Sequence, residues 1–569
     1  MGRCHGTGVR PAKGPPGPTE EGAEPPPESR RASGHTLSMQ SLWRPWVENA
    51  QPSPAQGTAV VSGFEFTSAL DSGNALASTW RLELTDGKGV RHFAVNIAAD
   101  CHGTERARPK AFWFHFAVTP APGEVAAGSR IGFRVHGMSR QADLFDNQYA
   151  PVFRTPSEPR WRRVPGKMKF MRDKDKAVTA AEEAPPSTWT LSWTHTFQEG
   201  DAQGRTSFAF AYPYSYGDLV RCLDGFGRAV RAADEGARSG EDTKKSCARR
   251  ELEFIDGRDP DLDGPVPLAG CGIYFNRQPL AISLQGRIVE MATVTQACRG
   301  EEAGDLEQLP ACVDELLPGD LPRLLPRRFQ GRPICFISGR VHPGETPSQF
   351  ALLGFLAFLL SDDPRAVILR ARFVFKVVPM LNPDGVAWGH GRTNSLGLDL
   401  NRCYRDPQPE LHEGVAAAKR LLLDWASRGE LLFYLDCHGH PVLRGCFVFG
   451  NDHDSSVVDT ETYVWNQAFA YVATVNCAHF DLNMCEWDKP DPKAAERVET
   501  PDDETKETSR QDSGRAQIGL CCRLYHAYTL ECNYNMGRCV RPVAEAPGLP
   551  GAAATQQVRG FSASLASGG

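Results

Sequence analysis

Between residues 58 and 215 the apolar positions come in short runs that alternate with polar ones. Phe112-Trp113-Phe114-His115-Phe116-Ala117-Val118 is aromatic and β-branched, while Ile131-Gly132-Phe133-Arg134-Val135 and Thr188-Trp189-Thr190-Leu191-Ser192-Trp193 alternate. Turn formers such as Pro120-Ala121-Pro122-Gly123 separate them. Short strands at regular spacing predict an antiparallel β-sandwich. From about residue 271 the pattern changes. Ile288–Val294, Ile334–Gly339, Phe373–Val378 and Leu431–Leu435 are nearly continuous apolar runs, and helical stretches intervene at about 348–362 and 408–427. Strands of that kind are covered on both faces, which predicts an α/β sheet flanked by helices.

Polar composition marks the remaining boundaries. Residues 1–57 are a Pro/Gly-rich stretch expected to be a disordered tail, and 58–233 form the sandwich domain. A charged insertion or linker is expected over 234–267, then the α/β domain over 268–540 with a polar loop at 486–515, then a second disordered tail over 541–569. Such segments lack the apolar surface needed to offset the entropy of ordering.

The chain has 569 residues, 41% of them apolar, enough for two or three cores. A net charge of -6 argues against binding nucleic acid through an overall field. The 17 cysteines are odd in number and contain no C-x-x-C pair, as expected of a reduced, cytoplasmic protein. No basic stretch followed by an apolar run opens the sequence, so a secretory signal is not expected, and the Met1-Gly2-Arg3-Cys4 start lacks the Ser or Thr that myristoylation wants at position 6, here Gly6. The best apolar run, Phe350–Leu360, is too short to span a bilayer.

Two segments carry candidate chemistry. His342-Pro343-Gly344-Glu345 follows one apolar run, and Asp436-Cys437-His438 follows another. Two histidines and a carboxylate are the protein ligands of a catalytic zinc, which keeps a fourth position for water. Thr346-Pro347-Ser348-Gln349 reads as a helix start, with Thr346 as cap and Gln349 closing a capping box. His342 and Glu345 then lie in a tight turn between a strand and a helix, where α/β sheets place their sites. On spacing alone, a metal site and two packed histidines are both open readings.

Further segments settle the comparison. Leu381-Asn-Pro-Asp-Gly-Val386, Gly391-Arg-Thr-Asn-Ser-Leu-Gly-Leu-Asp-Leu-Asn-Arg402, Asp436-Cys-His-Gly-His440 and Tyr528-Thr-Leu-Glu531-Cys-Asn-Tyr-Asn535 occur in order after His342–Glu345. In this the chain resembles the zinc metallocarboxypeptidases, and among them the cytosolic carboxypeptidases. Phe66-Thr-Ser-Ala-Leu-Asp-Ser-Gly-Asn74 and Tyr212-Pro-Tyr-Ser-Tyr216 are similar to motifs of that group's β-sandwich, and the resemblance covers roughly residues 60–540.

The resemblance implies a zinc-carboxypeptidase fold, a mixed sheet flanked by helices, behind an N-terminal antiparallel β-sandwich. It implies one zinc ion per catalytic domain, held by His342, Glu345 and His438, with His440 packed nearby and Asp436 free to orient His438. Glu531 is then the general base, at the end of the apolar run Ala527–Leu530. Arg392 is the cation for the developing oxyanion. Asn401 and Arg402 clamp the substrate's terminal carboxylate, for which a guanidinium supplies two parallel hydrogen bonds. Arg515, in Ser513-Gly514-Arg515, is the expected reader of an acidic terminal side chain. The tyrosine that closes over substrate in pancreatic members has no match here.

The implied function is removal of glutamate from polyglutamylated proteins, tubulin above all, at chain ends or branch points. The expected setting is a cytoplasmic, microtubule-associated monomer with no nucleic-acid partner and no membrane span. The basic stretch from Arg160 to Lys176 is an expected attraction for a poly-anionic tail. An amidohydrolase of acyl-amino acids on the same zinc scaffold and a non-catalytic tubulin-binding protein are the rival readings. The Asn401-Arg402 pair stands against the first, and the intact set of His342, Glu345, His438 and Glu531 against the second.

Overall fold

The computed structural model describes residues 53–108, 111–173, 189–202, 204–239, 272–297, 305–452, 459–488 and 510–535. Residues 1–52 of the expected first tail, 240–267 of the charged insertion, 489–509 of the polar loop and the whole second tail lie outside these.

The N-terminal half builds strands β1 (Thr58–Val61), β2 (Phe64–Thr67), β3 (Arg81–Thr85), β4 (Arg91–Asn96), β5 (His115–Pro120) and β6 (Arg130–Met138). It continues with β7 (Val152–Arg154), β8 (Arg162–Arg163), β9 (Lys169–Arg172), β10 (Trp189–Thr196) and β11 (Thr206–Ala209). They form a six-stranded sheet in the order β1-β2-β5-β11-β7-β8 and a five-stranded sheet in the order β3-β4-β6-β10-β9. The sandwich is otherwise antiparallel, but β4 pairs with β6 in parallel. Alternation puts Phe64, Phe66, Phe93, Phe116, Phe133 and Phe208 inside, all fully buried. Phe133 and Phe208, on different sheets, sit 4.6 Å apart between ring centroids. Edge and tilted contacts of this kind add to area burial.

A helix over Tyr216–Ser239 leaves the sandwich and continues six residues past position 233, where the charged segment was expected to begin. Its Leu219, Leu223 and Phe226 share one apolar cluster with Val294, Ile337 and Val377 of the second half. Arg277 ties the same helix to that half through a buried pair with Asp224 and a 2.7 Å pair with Glu290.

The second half builds β12 (Ile273–Ile282), β13 (Ile288–Gln296), β14 (Ile334–Gly339), β15 (Val374–Val378), β16 (Leu431–His440), β17 (Cys446–Asn451), β18 (Glu486–Asp488) and β19 (Ala527–Asn533). They form one eight-stranded mixed sheet in the order β12-β13-β15-β14-β16-β19-β17-β18. The central strands β15, β14, β16 and β19 run parallel, so their carboxyl ends meet at one edge. Every residue of β14 and β15 is buried, as continuous apolar runs require. The helices Thr346–Leu359 and Glu413–Ser427 belong to different apolar clusters of this half.

Two local expectations need correction. No capping box forms at Thr346: the cap position is Glu345, which makes no side-chain cap bond, and Gln349 is buried with both side-chain polar atoms unpartnered. The carboxylate of Glu345 is drawn to two histidines instead. The strand expected at Leu431–Leu435 runs on to His440, so His438 lies within β16.

Candidate metal centre and active site

Backbone geometry first delivers the turn after β14. Arg340, fully buried, takes the left-handed conformation at φ 55°. Its guanidinium donates to the carbonyls of Pro343 at 3.0 Å and Tyr214 at 3.1 Å, closing the turn onto the linker from the sandwich. Gly344 is required by close approach: a Cβ there would stand 2.7 Å from the Phe112 ring and 2.9 Å from the Gly391 carbonyl.

That turn aims His342 and Glu345 at His438. Imidazole Nδ1 of His342 lies 2.8 Å from Glu345 Oε1, and Nδ1 of His438 lies 3.0 Å from Glu345 Oε2. One ligand atom from each of the three buried residues falls within 4.8 Å of the others. Behind them, Nε2 of His342 is 3.0 Å from Asp399 Oδ1, and Nε2 of His438 is 2.8 Å from Asp436 Oδ2. A carboxylate behind each ring accepts the hydrogen bond of Nε2–H and leaves the Nδ1 lone pair facing inward, which is how metal-binding imidazoles are held. Asp436 is itself fixed by Ser338 Oγ at 2.8 Å. The donor set therefore fits a zinc ion.

The strand of Glu531, β19, stands alongside. In the parallel pairing of β16 and β19, His438 is the register partner of Glu531. Glu531 is buried, and among the described residues its Oε2 has no hydrogen-bond partner. Burial pushes its carboxyl up to about 7, helped by the charge of Glu345 and opposed by His438 and His342. Burial would also raise Glu345, but His342 and His438 outweigh it and hold that carboxyl well below the usual range. Two neighbouring carboxylates are thus driven apart, one kept as an anion and one poised near neutrality.

Arg392 lies at the same centre. One of its terminal nitrogens is 4.0 Å from Glu345 Oε1, and its Nε donates to Asp399 Oδ2 at 2.8 Å. Asn401 Nδ2 is 3.5 Å from His438 Nε2, and Asn401 Oδ1 accepts the Gly514 N–H at 3.0 Å. Arg402 donates to the Asn401 carbonyl at 3.0 Å.

Arg515 is placed differently. It is 3% exposed, and its guanidinium donates to the Gly450 carbonyl at 2.6 Å, to the Asn451 side chain and to Asp488. It is next to Gly514, yet its charge is spent on Asp488. His440 Nδ1 accepts the backbone N–H of Leu443 at 2.9 Å, so His440 closes the end of β16.

Three supporting residues escaped the sequence reading: Asp399, Arg340 and Asp100. Oδ1 of Asp100 accepts Gly391 N–H at 2.7 Å, and Oδ2 accepts the N–H groups of Arg392 at 2.9 Å and Thr393 at 2.8 Å. Asp399 sits inside a quoted motif, so its place two residues before Asn401 was a usable signal. Asp100 had none, being far away in sequence on the sandwich. The basic stretch also changes. Arg163 donates to the carbonyls of Ala150 at 2.6 Å and Tyr534 at 2.7 Å and lies over the Tyr149 ring, so it joins the two halves and is no part of a solvated patch. Lys174 and Lys176 lie outside the described residues.

Residues 276–471 match the zinc carboxypeptidase family. The chain therefore carries a zinc carboxypeptidase domain, and the match contains His342, Glu345, Arg392, Asn401, Arg402 and His438. Within that class it is similar to proteins named cytosolic carboxypeptidase. It is 31% identical over 589 residues to cytosolic carboxypeptidase-like protein 5 of Mus musculus, covering 85% of this chain and 59% of that protein. It is 27% identical over 426 residues to human cytosolic carboxypeptidase 6, covering 74% and 64%. The chain spans about three fifths of the length of the curated relatives it matches. A metallo-carboxypeptidase structure from Pseudomonas aeruginosa superposes with a TM-score of 0.50 at 18% identity, over 88% of this chain and 96% of that one, which shows a shared fold. No helix among the described residues is long and apolar enough to cross a membrane.

Proposed function

We propose that this chain is a zinc-dependent carboxypeptidase that removes glutamate from polyglutamylated proteins, tubulin among them, acting in the cytoplasm as a monomer. The observation that carries the reaction is the meeting of His342, Glu345 and His438 beside a buried, unpartnered Glu531. Zinc, when bound by those three side chains, supplies water activation and carbonyl polarisation.

The chain's own residues do the rest. Asn401 and Arg402 hold the terminal carboxylate and so set the scissile bond against the ligands. Oε2 of Glu531 takes the proton of the attacking water and passes it to the leaving amine. Arg392, anchored on Asp399 through Nε and one terminal nitrogen, leaves its other terminal nitrogen, 4.0 Å from Glu345 Oε1, to stabilise negative charge on the carbonyl oxygen. The substrate class follows the resemblance to the cytosolic carboxypeptidases and the abundance of arginine around the clamp.

The test is incubation of the purified chain with linear and branched glutamate peptides, with and without a chelator. Chelator-sensitive release of free glutamate, identified by mass, supports the reading. Shortened peptides with another residue released would keep the chemistry and remove the substrate.

A further inference from the structure

The structure separates two arginines that precede the base strand. Arg515 is buried and paired with Asp488, so together they bring no net charge to a substrate carboxylate. Freeing Arg515 for a ligand would leave Asp488, which is partly buried, without its cation. Arg510 is the contrast. It opens the short turn Arg510–Asp512, and its side chain is 66% exposed. Among the described residues its ion-pair partner is Glu486, at 3.7 Å and 58% exposed. A long pair that open to solvent contributes little.

The turn is fixed against the carboxylate clamp. Tyr404 N–H donates to the Asp512 carbonyl at 3.3 Å, Arg405 Nε donates to Asp512 Oδ1 at 2.6 Å, and Gly514 N–H donates to Asn401 Oδ1. The Arg510 guanidinium lies over the Phe449 ring, 5.8 Å from its centroid. From there a ladder of rings leads inward, Phe449 to Phe447 at 5.5 Å and Phe447 to His440 at 5.3 Å, two residues from the ligand His438. Arg510 thus stands on the rim between the clamp and the metal-binding strand.

We infer that Arg510 is a specificity-determining residue, supplying the net positive charge that selects an acidic side chain on the released residue, while Arg515 and Asp488 form a neutral structural pair. This rests on the carboxypeptidase reading above. The experiment uses the full chain loaded with zinc and two peptides that differ only in ending with Glu or Gln. Wild type is expected to prefer the Glu peptide. Arg510→Gln lowers kcat/KM on that peptide about tenfold or more, mainly through KM, and leaves the Gln peptide within about twofold. Arg510→Lys keeps part of the preference, and Glu486→Gln, which removes the competing carboxylate, increases it. An unchanged preference in Arg510→Gln, or an equal loss on both peptides, overturns the inference. So does a loss that follows the penultimate residue in a third peptide with Gln before the terminal Glu. Equal release of both peptides by wild type also overturns it while leaving the carboxypeptidase reading intact. Release of neither sinks that reading, and the inference with it.

Discussion

Asp100, on the β-sandwich, accepts the backbone N–H of Arg392 at 2.9 Å, so the loop that carries the proposed oxyanion cation is shaped by the other half of the chain. The same carboxylate takes the Thr393 hydroxyl at 3.0 Å, and Asn74 Nδ2 donates to the Gly389 carbonyl at 2.9 Å nearby. Asp100 is 1% exposed, and removing it leaves buried N–H groups unpaired at about 1–3 kcal/mol each. Asp100→Ala is expected to lower the melting temperature and to cut kcat more than KM, with zinc content unchanged. Thermal denaturation, zinc analysis and steady-state kinetics on one preparation check this, and full activity in the variant would show that Arg392 is placed by other means.

Glu531 is the next case. Glu531→Gln keeps shape and burial but removes the proton acceptor. Turnover should fall by about 10²–10⁴, while zinc content stays at the wild-type level, since Glu531 is outside the ligand cluster. Persistent release of glutamate by this variant would mean that another group is the base.

The two carboxylates behind the imidazoles predict a different signature. Asp436→Asn and Asp399→Asn should each weaken zinc binding by about 10–100-fold, measured by competition with a chromophoric chelator. Asp399→Asn should also lower kcat beyond what restored zinc recovers, because Asp399 anchors Arg392 as well. Equal zinc affinity in wild type and Asp436→Asn would remove Asp436 from any orienting role.

Away from the site, Glu413 opens the helix Glu413–Ser427 with Oε2 buried and, among the described residues, unpartnered. Burial pushes its carboxyl up from 4.5 to about 8, and the charge of Asp384 adds to this. The folded state then holds the proton more tightly than the unfolded chain. Its contribution is present below about pH 4.5 and is lost as pH rises towards about 8. Glu413→Gln should therefore unfold at higher urea than wild type at pH 9, with the advantage shrinking at pH 5. A difference that does not change with pH would rule out the Glu413 proton as its source.

Local order in this chain was legible wherever neighbours in sequence are neighbours in space. His342 and Glu345 share one turn, apolar runs marked β14 and β15, and aromatic alternation marked the sandwich strands. His438 and Glu531 could be named individually because each sits in a segment that resembles the zinc carboxypeptidases, close behind a run of strand-forming residues. Their facing each other across β16 and β19 depends on sheet order, which connects strands 93 positions apart.

What the sequence by itself determined was the inventory: two kinds of sheet, three candidate ligands, a candidate base, and the arginines around them. Tertiary structure decided which charges are available. Arg515 is paired with Asp488, Arg163 became a joint between halves, and the Arg392 guanidinium is anchored on Asp399 while Asp100 holds its backbone. The physical reason is that a buried ion must be paired by whatever group the fold brings within reach. Hydrophobic spacing reports which face of an element is buried, but it carries no record of the distant polar partner that satisfies it.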